Sequence, residues 1–318
     1  MAAVGIVFFF AIVIAAGLFF IIGIALLLVS IVVFRERKVI KTVLLIVSIV
    51  LLAISLIAAA GITTFITSSI SSQKQQRLEE ETALGPLIKA IKENNSAEAK
   101  EIIDSGYDIN EPRGLYAKTS PLIIAAEYEN IEIIKLLVEK GADINTVYSR
   151  TTALTEAIIK NNACIVSYFL DNGGNADQII DDLFYSTPLL NAGQFSDNID
   201  IFSKLIEYGA SVNYLEYRLT GQTTCLGTIL RRDIPDKFKI ADFLINSGAE
   251  VNIADVSGNT ILHDAVNRND IETAEYLIQK NIDILVPNKM NETALDIARR
   301  SNNTRIIQLL EKTIRMDT

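Results

Sequence analysis

A short element that recurs along the last three quarters of the chain limits the possible folds more than any other feature. Its clearest copies are Gly106–Asn110, Gly141–Asn145, Gly209–Asn213 and Gly248–Asn252, in which Gly and Asn flank two variable residues and an Ile or Val. Weaker copies begin at Gly173 and Asn281, and successive copies are 35, 32, 36, 39 and 33 residues apart. This spacing indicates a solenoid in which each unit packs on the next one.

A second element, Ser or Thr two residues before a Leu, recurs six times with a similar spacing. It begins at Ser120, Thr152, Thr187, Thr224, Thr260 and Thr293. A hydroxyl side chain caps the free amides of a helix start, and a proline after it suits the first turn. The Gly of the first element, or Asn281 in its place, supplies the left-handed residue that ends a helix. Each unit is therefore predicted to be two short helices and a projecting turn.

These elements together resemble the ankyrin repeat. The second unit carries the resemblance best, with Ser120–Ala126, the pair Leu136 and Leu137, and Gly141–Asn145. The first unit, from Pro86, resembles an N-terminal cap, and the last, from Asn291, a C-terminal unit. The resemblance implies about seven units over residues 84–318. The fourth unit has extra residues at 178–185 and 193–198, and the fifth has a longer connection between its helices at 231–237. Two explanations for these extra residues are equally good: sequence drift, and an insertion at the binding face.

Two apolar stretches occupy the first 62 residues. Residues 1–34 carry no charge, and residues 39–62 carry only Lys41. A helix needs about 20 apolar residues to cross a bilayer. We therefore predict a transmembrane hairpin with spans at about 5–34 and 39–62, and a stem over residues 63–83 that is helical in its second half. The fold class is all-α, a two-helix transmembrane hairpin followed by an ankyrin-repeat solenoid.

The loop between the predicted spans sets their expected orientation. Residues 35–41 contain four basic side chains, and short basic loops stay on the cytoplasmic side. This predicts a multi-pass protein of the cell (inner) membrane with a cytoplasmic loop and an extracytoplasmic solenoid. A cleaved signal peptide is disfavoured, because it would have basic residues before a shorter apolar core.

The remaining composition argues against several kinds of chemistry. After residue 72 the chain has 25 Lys and Arg against 37 Asp and Glu, so phosphate repulsion makes nucleic acid an unlikely partner. His263 is the single histidine, too few for a catalytic triad or a metal cluster. The resemblance implies that its ring bonds to the backbone between neighbouring units. Cys164 and Cys225 are expected to be free thiols, and we expect no cofactor, metal or catalytic site.

Candidate contact residues come from the turns. The resemblance implies that the turn tips and the inner helices form a concave binding face, and Tyr and Arg are enriched at binding hot spots. The Tyr and Arg residues of the turns are Arg113, Tyr116, Tyr148, Arg150, Tyr185, Tyr214, Tyr217 and Arg218. Packing of these tyrosines against neighbouring turns is the equally good structural alternative.

The favoured hypothesis is a non-enzymatic, membrane-anchored ankyrin-repeat scaffold that binds another protein, with the lipid bilayer as its second partner. One alternative is a regulatory subunit of a membrane channel or transporter. That function would call for ionisable residues within the spans, where the polar residues are serines such as Ser30, Ser48 and Ser55. Another alternative is an inhibitor or immunity-type protein at the membrane.

Overall fold

The structure, a computed structural model, describes residues 21–22, 24–25, 38–114, 118–180, 186–218 and 221–316. The chain forms two compact regions, Met1–Glu80 and Glu81–Thr318, which we describe separately. The described part of the N-terminal region is helical, and the C-terminal region is a solenoid of paired helices, the repeat units.

Helix α1, Lys38–Lys92, is interrupted at Gly85, whose φ of 81° and ψ of 172° are not helical. A side chain there would be strained by the positive φ, and a Cβ would lie 2.7 Å from the hydroxyl of Tyr107. Glycine at this position is therefore required by both the backbone and the space around it. The segment after the break, Pro86–Lys92, is the first inner helix of the solenoid.

In the N-terminal region most of the apolar side chains of α1 are exposed. Leu56 and Ile57 are 67% and 72% exposed, although neighbouring residues of a helix point about 100° apart. Leu45–Gln76 is long and apolar enough to cross a membrane, and it is the one such helix in the described part of the chain. The first predicted span, residues 5–34, lies outside the described residues except for four helical ones, so the structure shows one apolar helix and not a hairpin.

The predicted stem, residues 63–83, is helical along its whole length rather than only in its second half. Its Ser/Thr-rich beginning is helical although these residues are poor helix formers. Thr63, Thr64 and Thr67 donate to the carbonyls of Ala59, Ala60 and Thr63, one turn earlier, at 2.9–3.1 Å. These bonds satisfy the hydroxyls within the helix.

Seven pairs of helices make up the described solenoid, and in each pair an inner helix precedes an outer one. The first pair is Pro86–Lys92 with α2 (Ser96–Asp104). The others are α3 (Pro121–Glu127) with α4 (Ile131–Glu139), α5 (Ala153–Ile159) with α6 (Ala163–Asp171), α7 (Pro188–Phe195) with α8 (Ile199–Glu207), α9 (Cys225–Arg231) with α10 (Lys237–Asn246), α11 (Ile261–Asn267) with α12 (Ile271–Gln279), and α13 (Ala294–Arg300) with α14 (Thr304–Met316). The turn after α8 carries an antiparallel hairpin, β1 (Glu216–Arg218) and β2 (Gly221–Thr223).

The predicted helix caps are confirmed at the inner helices. The Ser120 hydroxyl accepts a hydrogen bond from the amide of Ile123 at 3.3 Å, and Thr152 caps the amide of Thr155 at 3.1 Å. Thr187, Thr224 and Thr293 act in the same way at α7, α9 and α13. At the other end of the pair, Asn281 takes the glycine position with a φ of 59°, as the pattern predicts.

The Asn that ends each Gly-to-Asn element joins one unit to the next. The amide group of Asn145 donates to the carbonyl of Gly173 at 3.0 Å, and its Oδ1 accepts from the amide of Asn175 at 2.8 Å. Asn110 and Asn213 make the same two bonds to the following units, at 2.9–3.0 Å. This asparagine staple fixes the register of successive turns.

One joint uses different chemistry. Asp177 occupies the Asn position of the third unit and cannot donate to the next glycine carbonyl. Its Oδ1 instead accepts from the amide of Ser211 at 2.9 Å, and its Oδ2 accepts from the Ser211 hydroxyl at 2.7 Å. Ser211 stands where the first, second, fifth and sixth units carry Asp or Glu, so the two departures from the pattern compensate each other.

The core of the solenoid is a continuous layer of Ile, Leu, Val and Ala side chains between inner and outer helices. Phe169 and Phe202 are the largest of its fully buried side chains. Burying a side chain of this size contributes about 1.5–3 kcal/mol. A single pair of helices would leave half of this apolar surface in water, so the units are stable only as a stack.

The asparagine staple predicts a specific loss of stability. Replacing Asn145 with Ala removes both bonds to the backbone of Gly173 and Asn175, and we expect the free energy of unfolding to fall by about 1–3 kcal/mol. Urea unfolding of the full chain in detergent, followed by circular dichroism, measures this change. Asn246→Ala is the matched control, since Asn246 is exposed, and we expect it to stay within about 0.5 kcal/mol of the wild type. An equal loss of unfolding free energy in the two variants would contradict the stabilising role of the asparagine staple.

Candidate functional site

The turn-side face consists of the turns between units together with the exposed side of the inner helices. Its turns are short backbone bridges. Tyr148 and Thr151 exchange two backbone hydrogen bonds of 3.0 Å, and Ser149 and Arg150 between them have φ values of 50° and 64°. The next turn toward the N-terminus has the same kind of bridge, between Arg113 and Thr119. The bridge between Tyr148 and Thr151 holds Ser149 and Arg150 in fixed positions, so this turn can present side chains without first being ordered.

Arg113, one of the sequence candidates, is engaged inside its own turn. Its guanidinium lies 4.9 Å from the ring centre of Tyr107 and forms an ion pair of 2.6 Å with Glu111. Its side chain is only 25% exposed. These contacts indicate that Arg113 mainly stabilises the first turn.

Among the other candidates, exposure separates Arg150 from the tyrosines. Arg150 is exposed, whereas Tyr148 and Tyr214 are half-buried and pack against the core. The contacts of Tyr148 and Tyr214 fit the packing alternative for these rings. Among the four candidates whose side chains the structure describes, Arg150 is thus the most exposed.

The structure gives less for the remaining four candidates. Tyr116 and Tyr185 lie outside the described residues. Tyr217 and Arg218 belong to β1, where their backbones pair with Gln222 and Gly221, and their side chains are not among those described. The role of these four in binding stays a prediction.

Exposed apolar side chains at the turns were missed by a search for Tyr and Arg. Val147, Ile179, Val256 and Met290 are 37%, 44%, 50% and 69% exposed. The turns of Val256 and Met290 are joined by a backbone bond of 2.9 Å from the amide of Lys289 to the carbonyl of Ser257. The signal in the sequence was an apolar residue in the middle of a polar turn.

The joint between the fifth and sixth units differs from its neighbours. Inner helices pack closely from α3 to α5, from α5 to α7, from α7 to α9 and from α11 to α13, whereas α9 and α11 make almost no close backbone approach. Gly193 shows how tight a normal joint is, because a Cβ there would lie 3.0 Å from the Cys225 sulfur. At the open joint the larger Ile261 faces Gly227, and a cleft of about 170 Å³ opens on the turn-side face.

Side chains rather than packed backbones bridge this joint. The Arg231 guanidinium donates two hydrogen bonds to the Asp264 carboxylate, at 2.9 and 3.1 Å, and Arg268 donates a third at 3.0 Å. On the outer helices the ring of Phe238 stacks on that of Tyr276 with centres 4.5 Å apart. Sequence reasoning noted Arg231 only as the start of a longer connection, because the partner on the next unit is not visible in the pattern.

The outer helices of these two units carry a clustered ion pair. Asp242 accepts hydrogen bonds from Lys280 at 2.6 Å and from the Tyr276 hydroxyl at 2.8 Å. The hydrogen bond from Lys280, followed by that from Tyr276, holds the pKa of Asp242 below its usual value. Burial, followed by the bond to Asp242, raises the pKa of Tyr276. The cluster links the outer helices α10 and α12, and so it closes the open joint on its outer side.

His263 has the structural role that the resemblance implies. Its Nδ1 accepts from the amide of Thr260 at 3.1 Å, and its Nε2 donates to the carbonyl of Glu292, in the next turn, at 3.2 Å. This pattern requires the neutral ring with the proton on Nε2. Burial lowers the pKa of His263, a shift only partly offset by the bond to Glu292.

No catalytic or metal-binding constellation is formed by the residues that the structure describes. Groups of three or more His, Cys, Asp and Glu suited to a metal are absent from them. Cys164 is an exposed free thiol at the start of α6, and Cys225 is a buried free thiol whose pKa burial raises to about 12. A buried, protonated thiol of this kind is unreactive.

Comparison with known proteins gives a match to a family model described as ankyrin repeats (3 copies). It matches residues 54–148 and 235–318, together more than half of the chain. The unmatched interval contains the irregular fourth unit, the β1–β2 hairpin and α9. The departures read from the sequence thus coincide with the part of the chain that the family model leaves out.

Curated relatives include a putative ankyrin repeat protein of fowlpox virus (strain NVSL), 33% identical over 40% of this chain and 37% of that protein. The palmitoyltransferase ZDHHC13 of Homo sapiens is 26% identical over 75% of this chain and 37% of its own length. The chain spans little more than a third of the length of the curated relatives it matches.

Two solved structures share the fold. The ankyrin repeat domain of Bcl-3 matches with a TM-score of 0.59 at 22% identity, covering 71% of this chain and 98% of that domain. A chain in the complex of the predatory endopeptidase Bd0816 from Bdellovibrio bacteriovorus with immunity protein Bd3460 matches with a TM-score of 0.52 at 26% identity. That match covers 60% of this chain and 96% of the other.

The two bonds of His263 predict a pH dependence of stability. The folded state disfavours protonation of the ring, so the unfolded chain binds more protons below its pKa of about 6.5. The stability that the neutral ring provides is complete above that pH and is lost as the pH falls through the lowered folded value. Urea unfolding of the full chain between pH 7.5 and 5.0 should show this decline. His263→Gln should be less stable at pH 7.5 and lose less on acidification; an identical slope would contradict the prediction.

Proposed function

We propose that this chain, which belongs to the ankyrin-repeat family, is a membrane-anchored scaffold that holds a protein partner on its turn-side face. The solenoid makes it an ankyrin-repeat protein-binding scaffold; the anchor and its orientation are our proposal. The apolar helix Leu45–Gln76 carries the anchor, because its exposed Leu, Ile and Phe side chains have no polar face to turn toward water.

A hairpin anchor has support within the same helix. Ser48 and Ser55 lie two turns apart on one face and are buried, although most of their neighbours are exposed. The Ser55 hydroxyl donates to the Leu51 carbonyl at 2.7 Å, which satisfies it without water. Small hydroxyl residues are common where membrane helices pack closely. The first apolar stretch, residues 1–34, has the length and composition to pack on this face, and the basic loop 35–41 would then lie in the cytoplasm with the solenoid outside.

A narrower version of the function is capture of a hydrolase at the membrane. The observation that favours it is the match to a chain from a complex of an endopeptidase with its immunity protein, which covers nearly all of that chain. A regulatory subunit of a channel or transporter has no comparable support, because the described apolar helix contains serines and no ionisable residue between Leu45 and Gln73.

The exposed Cys164 provides a test of the proposed orientation. A membrane-impermeant maleimide added to spheroplasts should label Cys164 without permeabilisation if the solenoid is outside. Cys225 should stay unlabelled until the protein is denatured, since it is buried with a pKa of about 12. Cys164→Ser should abolish the labelling. Labelling that requires permeabilisation would place the solenoid in the cytoplasm and contradict the proposal.

The binding face is tested by site-specific cross-linking. A photoreactive phenylalanine derivative at position 150, where Arg150 is exposed on a turn, should give a discrete adduct in cells, identifiable by mass spectrometry. The same group at position 135, where Lys135 is exposed on the outer helix α4, is the matched control and should give none. An adduct with an endopeptidase would support the narrower function. Adducts only from position 135 would contradict the proposed face.

A further inference from the structure

The cleft between the fifth and sixth units opens on the turn-side face and has a mostly polar lining. Its lining residues are Leu215, Thr223, Thr224, Gly227, Arg231, Ile253, Asp255, Asn259, Thr260, Ile261, Asp264 and Asn267. Three of them are threonines, and Thr223, Thr224 and Thr260 are all at least 95% buried. A cleft of about 170 Å³ suits one long side chain rather than a small domain or a helix.

The sequence keeps this cleft open. Gly227 takes a position at which the other inner helices carry a side chain, such as Ile123 in α3 or Leu190 in α7. A Cβ at Gly227 would lie 2.7 Å from the Thr223 hydroxyl, so a larger residue would have to displace the wall. The spacing between α9 and α11 therefore leaves space that neither unit fills.

The charges in the cleft favour one sign of ligand. Arg231 is bound by both oxygens of Asp264, so its positive charge is already compensated. Asp255 is different, because among the described residues it has no ion pair. Its Oδ1 accepts from the amides of Ser257 and Asn259, both at 2.8 Å, and its Oδ2 makes no hydrogen bond there. The cleft thus has one carboxylate oxygen available and no cation available.

We propose that this cleft is a specificity pocket for a cationic side chain, arginine or lysine, of the protein partner. The cation binds Oδ2 of Asp255, and its aliphatic stem lies against Ile253 and Ile261. The proposal rests on the proposed scaffold function and adds to it the chemistry of the partner. Val256 is exposed on the turn that carries Asp255, and Met290 is exposed on the following turn; both offer apolar contacts to the residues on either side of that side chain.

The charge of the solenoid supports a basic partner. Residues 84–223 contain 11 Lys and Arg against 20 Asp and Glu, whereas residues 224–318 contain 12 against 14. The units before the cleft are therefore strongly acidic. An acidic surface beside the pocket attracts a basic segment and speeds its encounter, while Asp255 supplies the short-range contact.

The test uses the full chain in detergent and the peptide acetyl-Gly-Arg-Gly-amide as the probe. Selective methyl labelling of isoleucine places reporters at Ile253 and Ile261, inside the cleft, and at Ile134, in the core of the second unit. We expect saturable shifts at the two cleft methyls and none at Ile134. The lysine peptide should act in the same way, and the glutamate peptide should give no saturable shift.

Variants separate the pocket from the fold. Asp255→Asn keeps the Oδ1 acceptor that the turn needs and removes the charge, so affinity for the arginine peptide should fall at least about fivefold. Asp283→Asn is the matched control, because Asp283 accepts the Leu285 amide at 3.0 Å in the next turn and does not line the cleft. Asn267→Arg, at the exposed rim, should block the peptide with a cation of its own.

Three results would overturn the pocket: no saturable shift with either basic peptide, equal binding of the glutamate peptide, or unchanged affinity in Asp255→Asn. Each would leave the scaffold function standing if position 150 still cross-links a partner. Loss of the cross-link with intact peptide binding would instead overturn the scaffold function and keep the pocket.

Discussion

The stacking of helix pairs is the interaction on which the rest of this structure depends. Each helix pair carries apolar side chains on two of its sides, and only the neighbouring pairs can bury them. The core therefore extends along the whole solenoid and has no single centre. Phe169 and Phe202 each stabilise the packing around their own unit. The asparagine staples add direction to this stacking, since apolar contact alone would allow neighbouring units to slide.

The fifth and sixth units show what happens where stacking is relaxed. Packed backbones are replaced there by the Arg231–Asp264 pair on one side and by the Phe238–Tyr276 stack on the other. Charged and aromatic bridges tolerate a wider spacing than helix-on-helix contact, and the space that they leave becomes available to a ligand. At this joint tighter packing would add stability but would remove the space for a ligand, a trade-off that is common in binding proteins.

Much of the fold was predictable because it follows local rules. Ser120 and the threonines at the same position cap helices in any context, and Asn281 adopts a left-handed conformation for reasons internal to its own backbone. The stem was less predictable, because its first half has poor helix formers whose hydroxyls find partners only once the helix exists. The candidate site was the least predictable. Asp255, Arg231 and Asp264 meet across units, and their sequence neighbours reveal neither the width of the joint nor the partner of each charge.

The pairing of Asp177 with Ser211 has a consequence for how an array of this kind can change. Repeat proteins gain and lose units by duplication and deletion, and most joints here would accept any neighbour, because Asn and an acidic residue recur on either side. The joint after the third unit would not accept every neighbour. If the next unit carried Asp or Glu at the position of Ser211, that carboxylate would lie at hydrogen-bond distance from the carboxylate of Asp177 and repel it. The third unit is therefore compatible with the fourth unit after it, whereas a successor with Asp or Glu at the position of Ser211 would be destabilised.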